Sequence, residues 1–112
     1  GMANDPQFGP VMMFGLGGVY VETLKDVAFR LWPLTDIDAR EMVRSIRSLP
    51  LLMGSRGDEP VDFAAIEETL LRLSQLVGDF DEIAELDMNP FMAGPTRASS
   101  RAVDARIRMR EK

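Results

Sequence analysis

Acidic and amide side chains alternate with apolar ones in residues 84–89, near the C-terminal end of the chain. Because successive side chains of a β-strand point to opposite faces, Glu85, Asp87 and Asn89 would share one face of a strand. The other face would carry the apolar members of the segment, which are Ala84, Leu86 and Met88. Neighbouring oxygen donors suit a hard cation such as Mg²⁺, so the spacing indicates a polar face able to hold magnesium.

A second segment with strand-like alternation occupies residues 103–108. If it pairs with the first, the polar face gains three residues, namely Asp104, Arg106 and Arg108. The core would gain Val103, Ala105 and Ile107. Mg²⁺ usually takes only one or two carboxylates and fills its remaining positions with water and phosphate, so carboxylates beside arginines predict a magnesium-bound nucleotide. The alternative is the solvated face of a half-buried strand, and spacing alone leaves both interpretations open.

The length and charge of the chain limit the classes of function. Its 112 residues are typical of one domain with a single core, and we predict a single domain spanning residues 1–112. The net charge of −5 provides no cationic footprint for nucleic acid, and the basic segment 97–112 lacks aromatic residues for base stacking. No apolar run is long enough to span a membrane and no signal pattern is present, so we expect a cytoplasmic protein without a membrane partner.

Cysteine and histidine are both absent from the sequence. Their absence excludes disulfides, thiolate or imidazole metal ligands, and the Ser/His and Cys/His nucleophile pairs. Chemistry in this chain must therefore rely on carboxylates, asparagine, lysine and arginine. We assign no catalytic residue.

Alternation and turn-forming residues predict three early strands, at 10–14, 19–24 and 27–32. Two helices should follow, one capped by Thr35 and ending near Ser48, the other capped by Asp62 and ending near Gly78. With the two strands described above, the order β-β-β-α-α-β-β predicts an α+β fold in which two helices pack on one face of an antiparallel sheet.

Apolar periodicity predicts which residues each layer buries. The helix stripes are Ile37, Met42, Val43 and Ile46 in the first helix, and Phe63, Ile66, Leu70, Leu73 and Val77 in the second. The uncovered face of the sheet would carry Glu22, Arg30, Asp87, Asn89, Asp104 and Arg106. A charged face without a second layer predicts a ligand or a partner on that side.

The glycine-rich segment 14–19 has two interpretations. Glycines let backbone N–H groups approach an anion, which would suit a phosphate loop. The segment lacks the G-x-G-x-x-G spacing and a following Lys-Ser/Thr, and the next predicted element is a strand rather than a helix. A hairpin or bulge that needs positive φ is the favoured interpretation.

Four blocks of the sequence resemble the second lobe of the ATP-grasp module in NDP-forming acyl-CoA synthetases, such as the ADP-forming acetate–CoA ligases. They are DPQFGP at 5–10, FGLGGVYVETLKD at 14–26, LDMNP at 86–90 and AVDAR at 102–106. The blocks occur in the family's order and cover nearly the whole chain. The same module is similar to the β subunit of succinyl-CoA synthetase.

The resemblance implies roles for individual residues. Asn89 and Asp104 match the family's metal ligands, and Asp87 matches the acidic position two residues before the asparagine. Asp87 is shorter than the glutamate often found there, which favours a supporting role over direct ligation. Arg106 matches a basic residue that could face phosphate. Glu22 matches a recurring acidic position of unassigned role.

The resemblance also implies that the chain works with partners. The expected cofactors are Mg²⁺ and ATP or ADP, bound between this lobe and a first ATP-grasp lobe. That lobe, the CoA-binding domains and the family's phosphohistidine are absent from the sequence, so we expect a fragment that is inactive alone. The implied reaction forms acyl-CoA through an acyl phosphate while ATP becomes ADP and phosphate. The alternatives are a regulatory nucleotide-binding module fused to an acetyltransferase, and self-association through the uncovered face.

Overall fold

The computed structural model describes residues 1–15, 26–54, 59–89 and 91–110. The predicted strand 19–24, Glu22 and most of the glycine-rich segment lie outside the described residues. The elements are β1 (Met2–Asp5), β2 (Gly9–Gly15), β3 (Val27–Leu31), α1 (Asp36–Ser45), α2 (Leu49–Leu52), α3 (Phe63–Asp79), β4 (Ile83–Met88), β5 (Phe91–Met92), β6 (Arg101–Ala102) and β7 (Ala105–Met109). Within these residues, no helix is both long enough and apolar enough to cross a membrane.

Five strands form one sheet in the order β3-β2-β1-β4-β7, with antiparallel pairing between neighbours. Strands β5 and β6 form a separate two-stranded ribbon. Helices α1 and α3 cover one face of the large sheet, and residues from both helices and from strands β1 to β4 share one buried core. The predicted α+β architecture is therefore confirmed.

Strand β1 was not predicted, yet it lies between β2 and β4 in the middle of the sheet. Its four residues include no β-branched or aromatic side chain, so strand propensity gave no signal. The turn into β2 is local: one carboxylate oxygen of Asp5 accepts from the backbone N–H groups of Gln7 and Phe8, at 2.7 and 3.0 Å. Gly9 then has a φ of 77°, which favours glycine.

Both predicted helix N-termini are confirmed. Thr35 and Asp38 form a capping box at α1, in which the Thr35 side chain accepts from the Asp38 N–H and the Asp38 carboxylate accepts from the Thr35 N–H. Hydrogen bonds with the backbone and with the side chain of Thr35 lower the pKa of Asp38, and the one from the Thr35 backbone has the larger effect. Asp62 caps α3 by accepting from the N–H of Ala65.

Helix α1 ends at Ser45, three residues before the predicted end, and the short helix α2 starts at Leu49. Asp26 explains the break, because its two carboxylate oxygens accept from the N–H groups of Arg47 and Ser48 at 2.6 and 2.8 Å. Hydrogen bonds from Ser48 and from the backbone lower the pKa of this buried carboxyl. Asp26, which lies between the predicted strands 19–24 and 27–32, thus organises the junction between α1 and α2.

The apolar stripe of α3 is confirmed, since Ile66, Leu70, Leu73 and Val77 are buried and Phe63 packs against the core. In α1 the prediction is wrong for Ile37, which is 61% exposed, while Ala39 is buried. Ile37 lies in the first turn, before the helix meets the sheet. Arg40 and Arg44 are exposed on α1, and both approach Glu67 of α3.

Strand β3 alternates as predicted, but Arg30 is not on the uncovered face. Ala28 faces the helices and Arg30 lies 3.9 Å from Glu41 of α1, whereas Phe29 and Leu31 are 55% and 54% exposed. Register explains this, because Arg30 pairs with the buried Met12 and directly opposed residues share a face. The uncovered face of the sheet is therefore apolar at β3.

Strand β3 continues into a linker that is fastened to α3. Trp32 Nε1 donates to the carbonyl oxygen of Ser74 at 2.8 Å, and the Leu34 N–H donates to the Ser74 hydroxyl at 3.0 Å. The Trp32–Pro33 peptide bond is cis. Gly78 lies within the last turn of α3, where a Cβ would come within 2.9 Å of the Trp32 ring. Gly78 thus permits the indole to approach the helix.

Candidate metal and nucleotide site

The predicted pairing of the two polar segments is confirmed. Strands β4 and β7 are antiparallel, with Glu85 opposite Arg108 and Asp87 opposite Arg106. One step further, the N–H of Asn89 donates to the carbonyl oxygen of Asp104 at 3.1 Å. Directly opposed residues of an antiparallel pair share a face, so the backbone brings Asp87, Asn89, Asp104 and Arg106 together.

The prediction that β7 contributes to the core is wrong. Val103, Ala105 and Ile107 are all exposed, Val103 by 62% and Ile107 by 52%. Ile107 does share a face with the buried Leu86, as the alternation requires. However, β7 is an edge strand, and among the described residues the buried core takes nothing from it. The helices do not extend over this edge.

The ribbon beyond the site continues the same pairing. Phe91 lies opposite Ala102 and Met92 opposite Arg101, in the register already set by β4 and β7. Strands β4 and β7 and the β5–β6 ribbon therefore share one antiparallel register, and Asn89 and Asp104 lie between the two paired regions. Interruptions of a strand pair often redirect side chains next to functional sites.

Charged residues on this face are partly paired. Arg108 donates to Glu85 at 3.0 Å, and this hydrogen bond together with the positive charge lowers the pKa of Glu85. Arg106 has no ion pair with another described residue, although it faces Asp87 across the strands.

The donor set suits Mg²⁺. Asp104 and Asn89 carry side-chain oxygens of the type that Mg²⁺ prefers, and both residues are exposed and therefore open to water and phosphate. One carboxylate oxygen of Asp104 accepts from the N–H of Ala105 at 2.9 Å, which orients the side chain. In the described part of the chain, no group of three or more His, Cys, Asp or Glu residues could hold a metal ion. Magnesium–nucleotide sites usually take only one or two carboxylates from the protein and fill the remaining positions with water and phosphate.

A cavity of about 300 Å³ opens beside Asp87 and Asn89. Its walls are mainly apolar and include side chains of α3, together with the end of β2 at Gly15 and the start of β3 at Val27. The two ends of segment 16–25 thus lie at the same end of the sheet as Asn89. Phe91 also lines the cavity. It was not predicted as a site residue, although it extends the alternation of Glu85, Asp87 and Asn89 by one step.

The sequence is similar to known proteins along almost its whole length. The family model described as "ATP-grasp domain" matches residues 1–109. The β subunit of acetate–CoA ligase [ADP-forming] I from Pyrococcus furiosus is 49% identical over 107 residues, which are 96% of this chain and 45% of that subunit. The 4-hydroxybutyrate–CoA ligase [ADP-forming] of Nitrosopumilus maritimus is 50% identical over 107 residues, or 15% of its length.

Solved structures show the same fold. The apo form of the dinucleotide forming acetyl-coenzyme A synthetase 1 of Ca. Korarchaeum cryptofilum matches 97% of this chain and 51% of its own, with a TM-score of 0.91 and 48% identity. Another structure of that synthetase, in complex with coenzyme A and Mg-AMPPCP, matches with the same TM-score and identity. The chain spans about half the length of these synthetase chains and of the P. furiosus subunit.

Proposed function

This chain belongs to the ATP-grasp domain family, and we propose that it forms the lobe that holds the nucleotide phosphates of an ADP-forming acyl-CoA ligase. The relatives described above are ADP-forming ligases or acetyl-coenzyme A synthetases. Because this chain spans only about half of the P. furiosus subunit, the ligase activity would belong to a larger assembly. That assembly would also supply the first ATP-grasp lobe and the CoA-binding domains.

One observation carries the proposal: the hydrogen bond from the Asn89 N–H to the Asp104 carbonyl oxygen sets two oxygen-donor side chains next to each other. We assign both side chains to Mg²⁺. Asp87, opposite Arg106 and one alternation before Asn89, would support the site by charge and through water. When bound, Mg²⁺ would neutralise and align the phosphates for transfer.

Arg106 would contact a phosphate oxygen. It lies on the same face as Asp104 and is exposed, and a guanidinium donates to phosphate in a bidentate arrangement. This chain offers no His or Cys nucleophile, so the covalent steps would use residues of the larger assembly. The isolated chain would bind nucleotide weakly and would not turn it over.

We propose that the first lobe covers the nucleotide from the uncovered side of the sheet. On that side Phe29 and Leu31 are 55% and 54% exposed, which provides an apolar area beside the charged residues of β4 and β7. A ligase that consumes ATP and CoA would work in the cytoplasm. The relatives described above are ligases and synthetases, so they do not favour the alternative of an acetyltransferase-linked regulatory module.

Titration of Mg²⁺ and ADP, separately and together, tests the proposal when backbone amide NMR shifts are recorded. We expect shifts that require both ligands at residues 86–89 and 103–106, and their loss in Asp104→Asn. Asp81→Asn, which changes an exposed carboxylate in the turn before β4, is the matched control. If the lone chain shows no shifts at millimolar ligand, the same titration on protein containing both lobes decides. No effect of Asp104→Asn on metal-dependent nucleotide binding there would refute the proposal.

A further inference from the structure

The tip of the β5–β6 ribbon is fastened to helix α3 by two contacts. Arg97 Nη2 donates to Oε1 of Glu68 at 2.9 Å. The backbone N–H of Asp62, the residue that caps α3, donates to the carbonyl oxygen of Gly94 at 2.8 Å. Both contacts link the ribbon tip, residues 93–100, to the N-terminal end or half of α3. Strands β4 and β7, from which the ribbon extends, belong to the large sheet.

The tip itself is held by a network of short-range hydrogen bonds. The Gly94 N–H donates to the Ser100 hydroxyl at 3.0 Å, and that hydroxyl lies 2.8 Å from the carbonyl oxygen of Thr96. Thr96 and Ser99 exchange further hydrogen bonds between their backbones and side chains. A Cβ at position 94 would collide with Ser99. The tip is therefore a compact unit whose residues are hydrogen-bonded to one another.

The compact tip is coupled to the candidate metal ligands by the strand register. Residues 91–92 and 101–102 continue the pairing of β4 with β7, and only the interruption at Asn89 and Asp104 separates the two ribbons. The direction of the outer ribbon relative to the sheet is therefore set at this interruption. Contacts that fix the tip on α3 also fix the relative placement of Asn89 and Asp104.

We propose that Arg97 is a positioning residue for the metal site, acting through the ribbon on the Asn89–Asp104 pair. The part of this inference that concerns metal binding rests on the proposed function; the part that concerns the pairing does not. The Arg97 side chain is 69% exposed and that of Glu68 35%, so the ion pair is screened by solvent. Its loss should have a measurable but modest effect, about two- to fivefold.

Glu68 supplies an internal control. The same Oε1 atom accepts from Arg72 at 2.8 Å, and the Arg72 side chain is 71% exposed. Arg72 and Glu68 both belong to α3, so their pair does not hold the ribbon. Arg97→Gln and Arg72→Gln therefore remove equal charges, almost equally exposed, from one carboxylate, and only Arg97→Gln removes one of the two contacts between the tip and α3.

The experiment measures the hydrogen exchange rate of the Asn89 N–H, which reports directly on its bond to Asp104. In the full chain we expect Arg97→Gln to accelerate this exchange about two- to fivefold. Arg72→Gln should leave it unchanged. The charge reversal of Arg97→Glu with Glu68→Arg should restore slow exchange, because residue 97 could again pair with a cation on α3. Equal exchange rates in Arg97→Gln and Arg72→Gln would overturn the inference.

Mn²⁺ affinity in the presence of ADP, measured by electron paramagnetic resonance on protein containing both lobes, tests the consequence for metal binding. We expect weaker Mn²⁺ binding in Arg97→Gln than in Arg72→Gln, again by about two- to fivefold. If Asp104→Asn abolishes Mn²⁺ binding and the two arginine variants bind equally, the positioning role is wrong and the metal site stands. If Asp104→Asn binds Mn²⁺ normally, the proposed metal site is wrong, whatever the exchange rates show.

Discussion

The N–H of Asn89 lies 3.1 Å from the carbonyl oxygen of Asp104, although a ribbon of two short strands and a tip separates these residues in the chain. The bond joins backbone atoms, so it requires neither side chain. Substitutions such as Asp104→Asn therefore alter the proposed ligands and leave the atoms of this backbone pairing in place. This property makes the site well suited to tests by mutation.

Arg106→Gln should weaken ADP binding in the presence of Mg²⁺ by about tenfold, which is the scale of one lost hydrogen bond to a charged group. Binding of the metal should depend much less on this residue. Isothermal titration of protein containing both lobes measures the two affinities separately. Arg101→Gln is the control, because register places this arginine of the ribbon, which is also exposed, on the opposite face. Equal losses in both variants would point to general electrostatic attraction rather than a phosphate contact.

Asp26→Asn should destabilise the fold at neutral pH and have little effect in acid. The pKa of Asp26 in the folded state lies below its ordinary value of 3.8 because the ionised carboxylate accepts hydrogen bonds from residues 47 and 48. The resulting stabilisation is complete above the unfolded-state pKa and is lost as the pH falls through the folded-state pKa. Urea unfolding at several pH values measures the difference. A difference between variant and parent that does not shrink with acidification would contradict this assignment.

Two isoleucines on different helices offer a matched test of the core. Ile66 is 3% exposed on α3 and Ile37 is 61% exposed on α1. Ile66→Ala should reduce the free energy of unfolding by about 2–5 kcal/mol, the range for truncating a buried aliphatic side chain. Ile37→Ala should change it by no more than about 0.5 kcal/mol. Similar losses in both variants, measured by chemical denaturation, would mean that the first turn of α1 is packed after all.

Ser74→Ala should reduce the free energy of unfolding by about 1–3 kcal/mol, because it leaves the buried N–H of Leu34 without an acceptor. The bond from Trp32 goes to the carbonyl oxygen of Ser74 and would remain. Ser45→Ala is the control, since the Ser45 side chain only donates to a carbonyl oxygen at the exposed end of α1. Denaturation curves for both variants give the comparison, and an unchanged stability of Ser74→Ala would show that Leu34 finds another partner.

The sequence pattern predicted those helices and strands that are specified by residues close together in the chain. Thr35 and Asp62 are capping residues with helical periodicity behind them, and the alternation around Asp87 has period two. Such signals depend on neighbours in the chain, so they could be recognised without the fold. Strand β1 has no such signal, because its place in the sheet comes from pairing with β2 and β4.

Errors about burial have a different physical origin. Alternation correctly placed Ile107 on the same face as Leu86, but it could not show where the helices stop covering the sheet. The same applies to Arg30, whose face was decided by its register with Met12. That Asn89 and Asp104 would share a face was predictable because both strands repeat with period two, but their direct pairing depends on the register. The contact of Arg97 with Glu68 was not, since it requires the path of the ribbon across α3.

The central position of β1 has a consequence for how the chain folds. Strands β2 and β3 pair and are close in sequence, but among the described residues the two halves of the sheet meet only through β1, where Met2 pairs with Leu86. During synthesis, residues 2–5 can join the β2 side early and must then wait for β4 to leave the ribosome. Contacts between such distant residues slow folding, because a long loop must close first. Until β4 arrives, the unpaired edge of β1 would be open to pairing with another chain, which promotes aggregation.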